Sequence, residues 1–193
     1  MSQDEPKKSF DMQKIVMISI MAGLGTLLLG AMIAFFIHVS QTMVFKDANF
    51  KIKISYPKTW KALPNYGGTI VDIVAPEDNS LDSFRENINI SVVDLPPEIT
   101  SLSKFTQLAR IQTENLLGNT AEIIVSEEFV FKGLQAYRYS IRNKQVPEIE
   151  INFIWYFKDN TAFVITSTNE VLFHDKYKRI FDSMLKSYSI DGK

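Results

Sequence analysis

INFIWYF, from Ile151 to Phe157, decides the fold. In an extended chain Ile151, Phe153, Trp155 and Phe157 fall on one face and Ile154 with Tyr156 on the other, so this strand is apolar on both sides and needs cover on both. It belongs in the centre of a sheet. It lies within the strand Ile149 to Phe157, and around it the chain offers further strands at Glu122 to Phe131, Leu134 to Arg142 and Thr161 to Thr168. Turn residues Lys132-Gly133 and Lys158-Asp159-Asn160 separate them, and connections this short imply an antiparallel meander.

Upstream, Phe50, Ile52, Ile54 and Tyr56 alternate with Lys51, Lys53 and Ser55 until Pro57, the period of a strand with one polar face. TIVDIVAP and NINISVVD, the latter at Asn87 to Asp94, supply two more strands. Cover comes from two helices. Ser101 or Ser103 caps the first, which sets Leu102, Phe105, Leu108, Ala109 and Leu116 on one side and stops at Gly118. The second, about Leu172 to Tyr188, repeats Tyr177, Ile180, Phe181, Met184, Leu185 and Tyr188 at helical spacing. The pattern predicts an α+β fold: an antiparallel β-sheet flanked by helices as an α/β/α sandwich.

The element order, opening with FKIKISYPKTWK and closing with HDKYKRIFDSMLKSYSI, resembles the PsbP/DcrB superfamily. The matching positions are Tyr56-Pro57 with Trp60 and the terminal-helix aromatic Phe181, and the likeness covers about Phe50 to Ile190. That group includes extrinsic photosystem proteins, bacterial envelope proteins and a nuclear factor that binds a small GTPase. The resemblance implies a PsbP-like sandwich and an accessory or docking role, not catalysis. Some photosynthetic members bind metal through histidine and acids, but His174 is the only histidine in this part of the chain.

Toward the N-terminus lies IVMISIMAGLGTLLLGAMIAFFIHV, Ile15 to Val39, free of Asp, Glu, Lys and Arg. At about 1.5 Å per residue such a helix reaches about 37 Å, beyond a hydrocarbon core of about 30 Å. The run is longer than the apolar part of a secretory signal and lacks a small-x-small exit, so it reads as a retained transmembrane helix. Residues 1–14 form a short tail, 40–49 a polar linker, and 50–190 the domain. Lys14 abuts the helix on its N-terminal side, which favours a cytoplasmic N-terminus with the domain periplasmic or extracellular, on a single-pass inner-membrane protein. Ala22, Thr26, Gly30 and Ala34 recur every fourth residue and offer a small-residue face for helix packing and self-association.

Chemistry is sparse. The net charge of -1 gives no drive toward nucleic acid, and with no cysteine there are no disulfides or thiolate sites. Nucleotide loops and serine-nucleophile motifs are missing. Glu170, His174 and Asp175 sit together in sequence, but one imidazole is a thin basis for zinc, and Asp175 suits the helix start. Glu127 and Glu128 point to opposite faces of a strand and make a poor acid/base pair. No catalytic residue, metal or cofactor is assigned. Arg138, Arg142 and Lys144 form a basic cluster suited to a partner surface, with Arg138 and Arg142 on one strand face and Tyr137 and Tyr139 on the other. The expectation is a non-catalytic accessory protein docking on an integral membrane or envelope complex. The alternative is a binding module for a small apolar or lipid ligand, held among Phe153, Trp155 and Phe163.

Overall fold

The computed structural model describes residues 27–33, 41–77, 84–158 and 161–190. The chain forms two compact units, Met1–Gln41 and Thr42–Lys193. In the first unit residues 27–33 are helical, and Gly30 has open space where a Cβ would stand. Among the described residues no helix is long and apolar enough to cross a membrane. The rest of the run from Ile15 to Val39, with Ala22, Thr26 and Ala34, lies outside the described residues.

The second unit is built on a seven-stranded antiparallel sheet ordered β3-β4-β5-β9-β8-β7-β6. Its strands are β3 (Lys61–Pro64), β4 (Val71–Val74), β5 (Asn87–Val93), β6 (Ala121–Phe131), β7 (Leu134–Asn143), β8 (Ile149–Lys158) and β9 (Thr161–Glu170). Strands β6 to β9 are the expected meander. INFIWYF lies inside the sheet, in β8 between β7 and β9. Its two faces are covered as the alternation requires. Helix α1 (Leu102–Leu117) carries Phe105 onto Trp155, Tyr139 and Ile141. On the opposite face Ile154 and Tyr156 join Ile88, Ile90, Phe163 and Ile165 under helix α2 (His174–Ser187), which contributes Tyr177, Phe181 and Met184.

The second face also carries a small sheet, β1 (Thr42–Asp47), β2 (Ile52–Pro57) and β10 (Ser189–Ile190), in the order β1-β2-β10. Buried Ile52 and Ile54 of β2 join the core, and Trp60 just beyond meets Phe181 edge-on with ring centroids 5.8 Å apart. The aromatic positions singled out by the resemblance therefore meet in one cluster.

Three features differ from the sequence reading. Residues 40–49, read as a polar linker, hold β1, which pairs with β2 from Thr42↔Pro57 to Asp47↔Ile52. Only Phe45 of that strand packs against the core, and the hairpin turn places Lys51 rather than Gly at φ 53, so neither alternation nor turn chemistry announces it. Strands β3 and β10 are short and were not anticipated. Leu116 is 85% exposed, and Leu117 packs in its place as the chain turns at Gly118, whose φ of 58 suits glycine.

Candidate binding surface

Three strands bring polar side chains into register on the α2 face. Arg142 of β7 stands opposite Glu150 of β8, and Glu150 opposite Asn169 of β9. Two residues along each strand, the row is Ser140, Asn152 and Ser167; two further, it is Arg138, Ile154 and Ile165, where the apolar core begins. Because side chains two apart share a face, the register alone builds two parallel polar rows.

Helix α2 lies along the edge of these rows. His174 and Lys178, one turn apart, face them, and Phe181 closes toward the core. Ile124 and Val125 of β6 bound the outer side. The result is an open groove of about 400 Å³ whose floor carries the polar rows and whose α2 wall mixes His174, Lys178 and Asp182 with apolar Phe181 and Leu185.

The electrostatics centre on Glu150, whose side chain is 7% exposed. One carboxylate oxygen lies 3.5 Å from Arg142 Nη2 and 3.3 Å from His174 Nδ1, while Asn152 Nδ2 donates to the other at 3.3 Å. An unpaired carboxylate at such depth would be costly, and the Arg142 guanidinium and the Asn152 amide offset that cost. Not every donor is satisfied: Arg142 Nε and His174 Nδ1 are buried without a hydrogen-bond partner.

The basic cluster read from the sequence is divided. Arg138 and Arg142 both line the groove, on the face that alternation assigned them, whereas Lys144 lies outside it. Each has an acidic neighbour: Arg138 pairs with Glu127 at 3.5 Å and sits over the Phe129 ring, Arg142 approaches Glu148 and Glu150, and Lys144 pairs with Glu122 at 2.9 Å. The hydrogen bond and charge of Lys144 hold the Glu122 carboxyl below the usual carboxylate range. The surface is a set of matched charges, not a bare cationic patch.

On the other face, Thr106, Arg110 and Glu114 of α1 border a second groove of about 430 Å³ against Tyr137 and Glu128. Tyr139 donates its hydroxyl to Glu114 at 3.0 Å. Burial, reinforced by that carboxylate, pushes its phenol up to about 12. Glu127 and Glu128 are thus parted, one beside Arg138 and the other in the α1 groove. Among the described residues no group of three or more histidines or acids is arranged to hold a metal, and His174 turns to Glu150 rather than to Glu170 or Asp175.

Between the two grooves runs β6, the outermost strand of the large sheet. It pairs with β7 on one side, and its other edge is unpaired among the described residues. A register shift between Ile123 and Val125 interrupts the ladder, and Ile123, Ile124 and Val130 are exposed. The sequence reading placed this strand correctly, but its edge position depends on the long β5-α1-β6 connection, which periodicity does not reveal.

No family model matches the sequence, and no curated protein does. Solved structures are similar in fold. The cyanobacterial PsbP protein CyanoP of Synechocystis sp. PCC 6803 matches with a TM-score of 0.57 at 14% identity, over 78% of this chain and 92% of that one. LpqN of Mycobacterium tuberculosis, described as involved in cell envelope biogenesis, gives 0.57 at 14% identity over 78% and 90%. The Ran-binding protein Mog1p of Saccharomyces cerevisiae gives 0.52 at 10% identity over 78% and 95%. At these identities the likeness is one of architecture, and what it establishes is that this chain carries a PsbP-like α+β fold.

Proposed function

We propose that the chain is a non-catalytic accessory protein, tethered by the Ile15–Val39 run as a single-pass helix, whose extracytoplasmic unit docks on a larger membrane-associated assembly. The observation that carries this reading is the edge of β6 that no described strand pairs, on a strand of 11 residues with exposed Ile123, Ile124 and Val130. An unpaired edge of this length is a template for strand addition, in which main-chain hydrogen bonds give affinity and alternate side chains give specificity. Glu122 and Glu127 of the strand already face Lys144 and Arg138, and its exposed side chains include Ile123, Ile124 and Val130, so the fitting partner is an extended segment that alternates apolar and polar residues.

Phe153, Trp155 and Phe163, which would line an apolar ligand pocket, are instead packed against other core side chains. That supports a surface role over an interior one. In the tether, Ala22, Thr26, Gly30 and Ala34 provide the face for pairing with another membrane helix.

The test is affinity purification of tagged full-length protein in gentle detergent, with mass spectrometry of what is retained, alongside the double variant Ile123→Lys/Val130→Lys. Both positions are exposed, and lysines along an edge oppose strand addition. Stoichiometric membrane subunits retained by the parent and lost by the variant are the expected result. Subunits retained equally by both would remove β6 as the docking edge, and a protein purifying alone would count against stable docking.

A further inference from the structure

The two polar rows are more than a solvated sheet face. Ser140, Glu150, Ser167 and Asn169 are all buried, in the interior strands β7, β8 and β9, beside positions that carry isoleucine one row away. Burying four polar side chains side by side disfavours folding unless their hydrogen-bonding capacity is used. The unused capacity lies beside these four, where Arg142 Nε and His174 Nδ1 line the same groove without hydrogen-bond partners. From these rows we infer a binding site for a small, uncharged, hydroxyl-rich molecule of the size of one or two sugar rings.

Size follows from sheet geometry. Strands about 4.8 Å apart and side chains about 6.8 Å apart along each strand make three strands by two rows a floor of roughly 10 by 7 Å. The groove volume of about 400 Å³ agrees with a ligand of that footprint.

Chemical class follows from charge. Each ion near the rows already has a counter-ion: Arg142 with Glu150, Lys178 with Asp182 at 2.9 Å, and Arg138 with Glu127. An anion would have to compete with Glu150 for Arg142, and a cation would have to compete with Arg142 for Glu150. An uncharged ligand disturbs neither pair. The rows present acceptors on Glu150, donors on Arg142, and groups that are both on the two serines and two asparagines. A hydroxyl is likewise donor and acceptor at one atom, so a polyol matches this mixture where a carboxylate or phosphate, acceptor only, does not. Phe181 and Leu185 give the groove an apolar wall for the ring's carbon face.

This site shares Ile124 and Val125 of β6 with the docking edge, but it does not rest on docking, and its test reads different atoms. Full-length protein, kept in a detergent without a sugar headgroup, is labelled with nitrogen-15. The side-chain amide signals of Asn152 and Asn169 are followed while glucose, maltose or myo-inositol is added, with acetate and inorganic phosphate as charged counterparts. The expected result is saturable movement of both amides with at least one polyol and not with the anions. The double variant Ser140→Ala/Ser167→Ala should keep the parent's unfolding temperature within a few degrees and bind that polyol at least tenfold more weakly. Saturation by an anion instead would reverse the assigned class. Signals unmoved by every probe, or a polyol response unchanged in the serine variant, would overturn the site.

Discussion

Tyr156 and Tyr188 join their hydroxyls across the core, tying β8 to the residue that ends α2. Both lie in apolar surroundings, and the Tyr188 ring stacks on Phe131 with centroids 5.7 Å apart. Burial raises both phenols, Tyr156 strongly and Tyr188 to about 12. The unfolded chain releases these protons near the ordinary tyrosine value of 10.0, before the folded one does. Stability from the pair is therefore complete below about pH 10 and falls as pH rises toward 12, with Tyr139 adding to the same loss. Urea midpoints measured across this range should be flat on the neutral side and then drop, and a Tyr139→Phe/Tyr156→Phe/Tyr188→Phe variant should drop less steeply. Tyr188→Phe alone leaves a buried hydroxyl unpaired and should cost about 1–3 kcal/mol, with the Tyr156→Phe/Tyr188→Phe double variant costing less than the sum of the singles. Spacing identified Tyr188 as a buried helix-face residue but not its partner, which lies 32 residues away. The polar rows were hidden for a similar reason: Ser140, Asn152 and Ser167 look like scattered polar residues until the two registers of three strands align them.

Elements with local signatures were legible, and those held by tertiary pairing were not. The sequence offers Ser101 or Ser103 as the cap, and it is Ser101 whose Oγ accepts from Lys104 N at 3.3 Å. Ser101→Ala should lower stability by about 1 kcal/mol, measured by urea unfolding, while Ser103→Ala, on an exposed residue of the same turn, should do little. The Lys132-Gly133 turn was equally plain. Both residues have positive φ, 52 and 81, the backbone of a hairpin turn whose twist matches its strands. A Cβ at Gly133 meets no neighbour, so Gly133→Ala tests backbone strain alone and should cost about 1 kcal/mol. An unfolding midpoint equal to the parent's would show that the turn relaxes without penalty. By contrast β1 contributes one core contact, β3 spans four residues and β10 two, each too brief for a pattern to rise above its surroundings.

At the scale of the molecule, strand β1 moves the start of the folded unit from the expected residue 50 to Thr42. The consequence is measurable with two fragments, residues 42–193 and 50–193. Without β1, strand β2 keeps only the short β10 beside it, and its long edge opens next to the buried Ile52 and Ile54. Phe45 leaves the core cluster, and Phe50 N loses the 2.8 Å hydrogen bond that it donates to Asp47 Oδ1. Removing a half-buried aromatic with its strand should cost at least about 2 kcal/mol, which in a unit of this size lowers the thermal midpoint by at least about 4–8 °C. Fragment 42–193 should unfold in one cooperative step, because both faces of the sheet share the strands β7, β8 and β9 and neither core closes without them. The shorter fragment should melt earlier and associate more readily through the exposed edge of β2. Equal midpoints for the two would mean that β1 rests on the unit without supporting it, and the boundary read from the strand at Phe50 to Tyr56 would then be the energetic one.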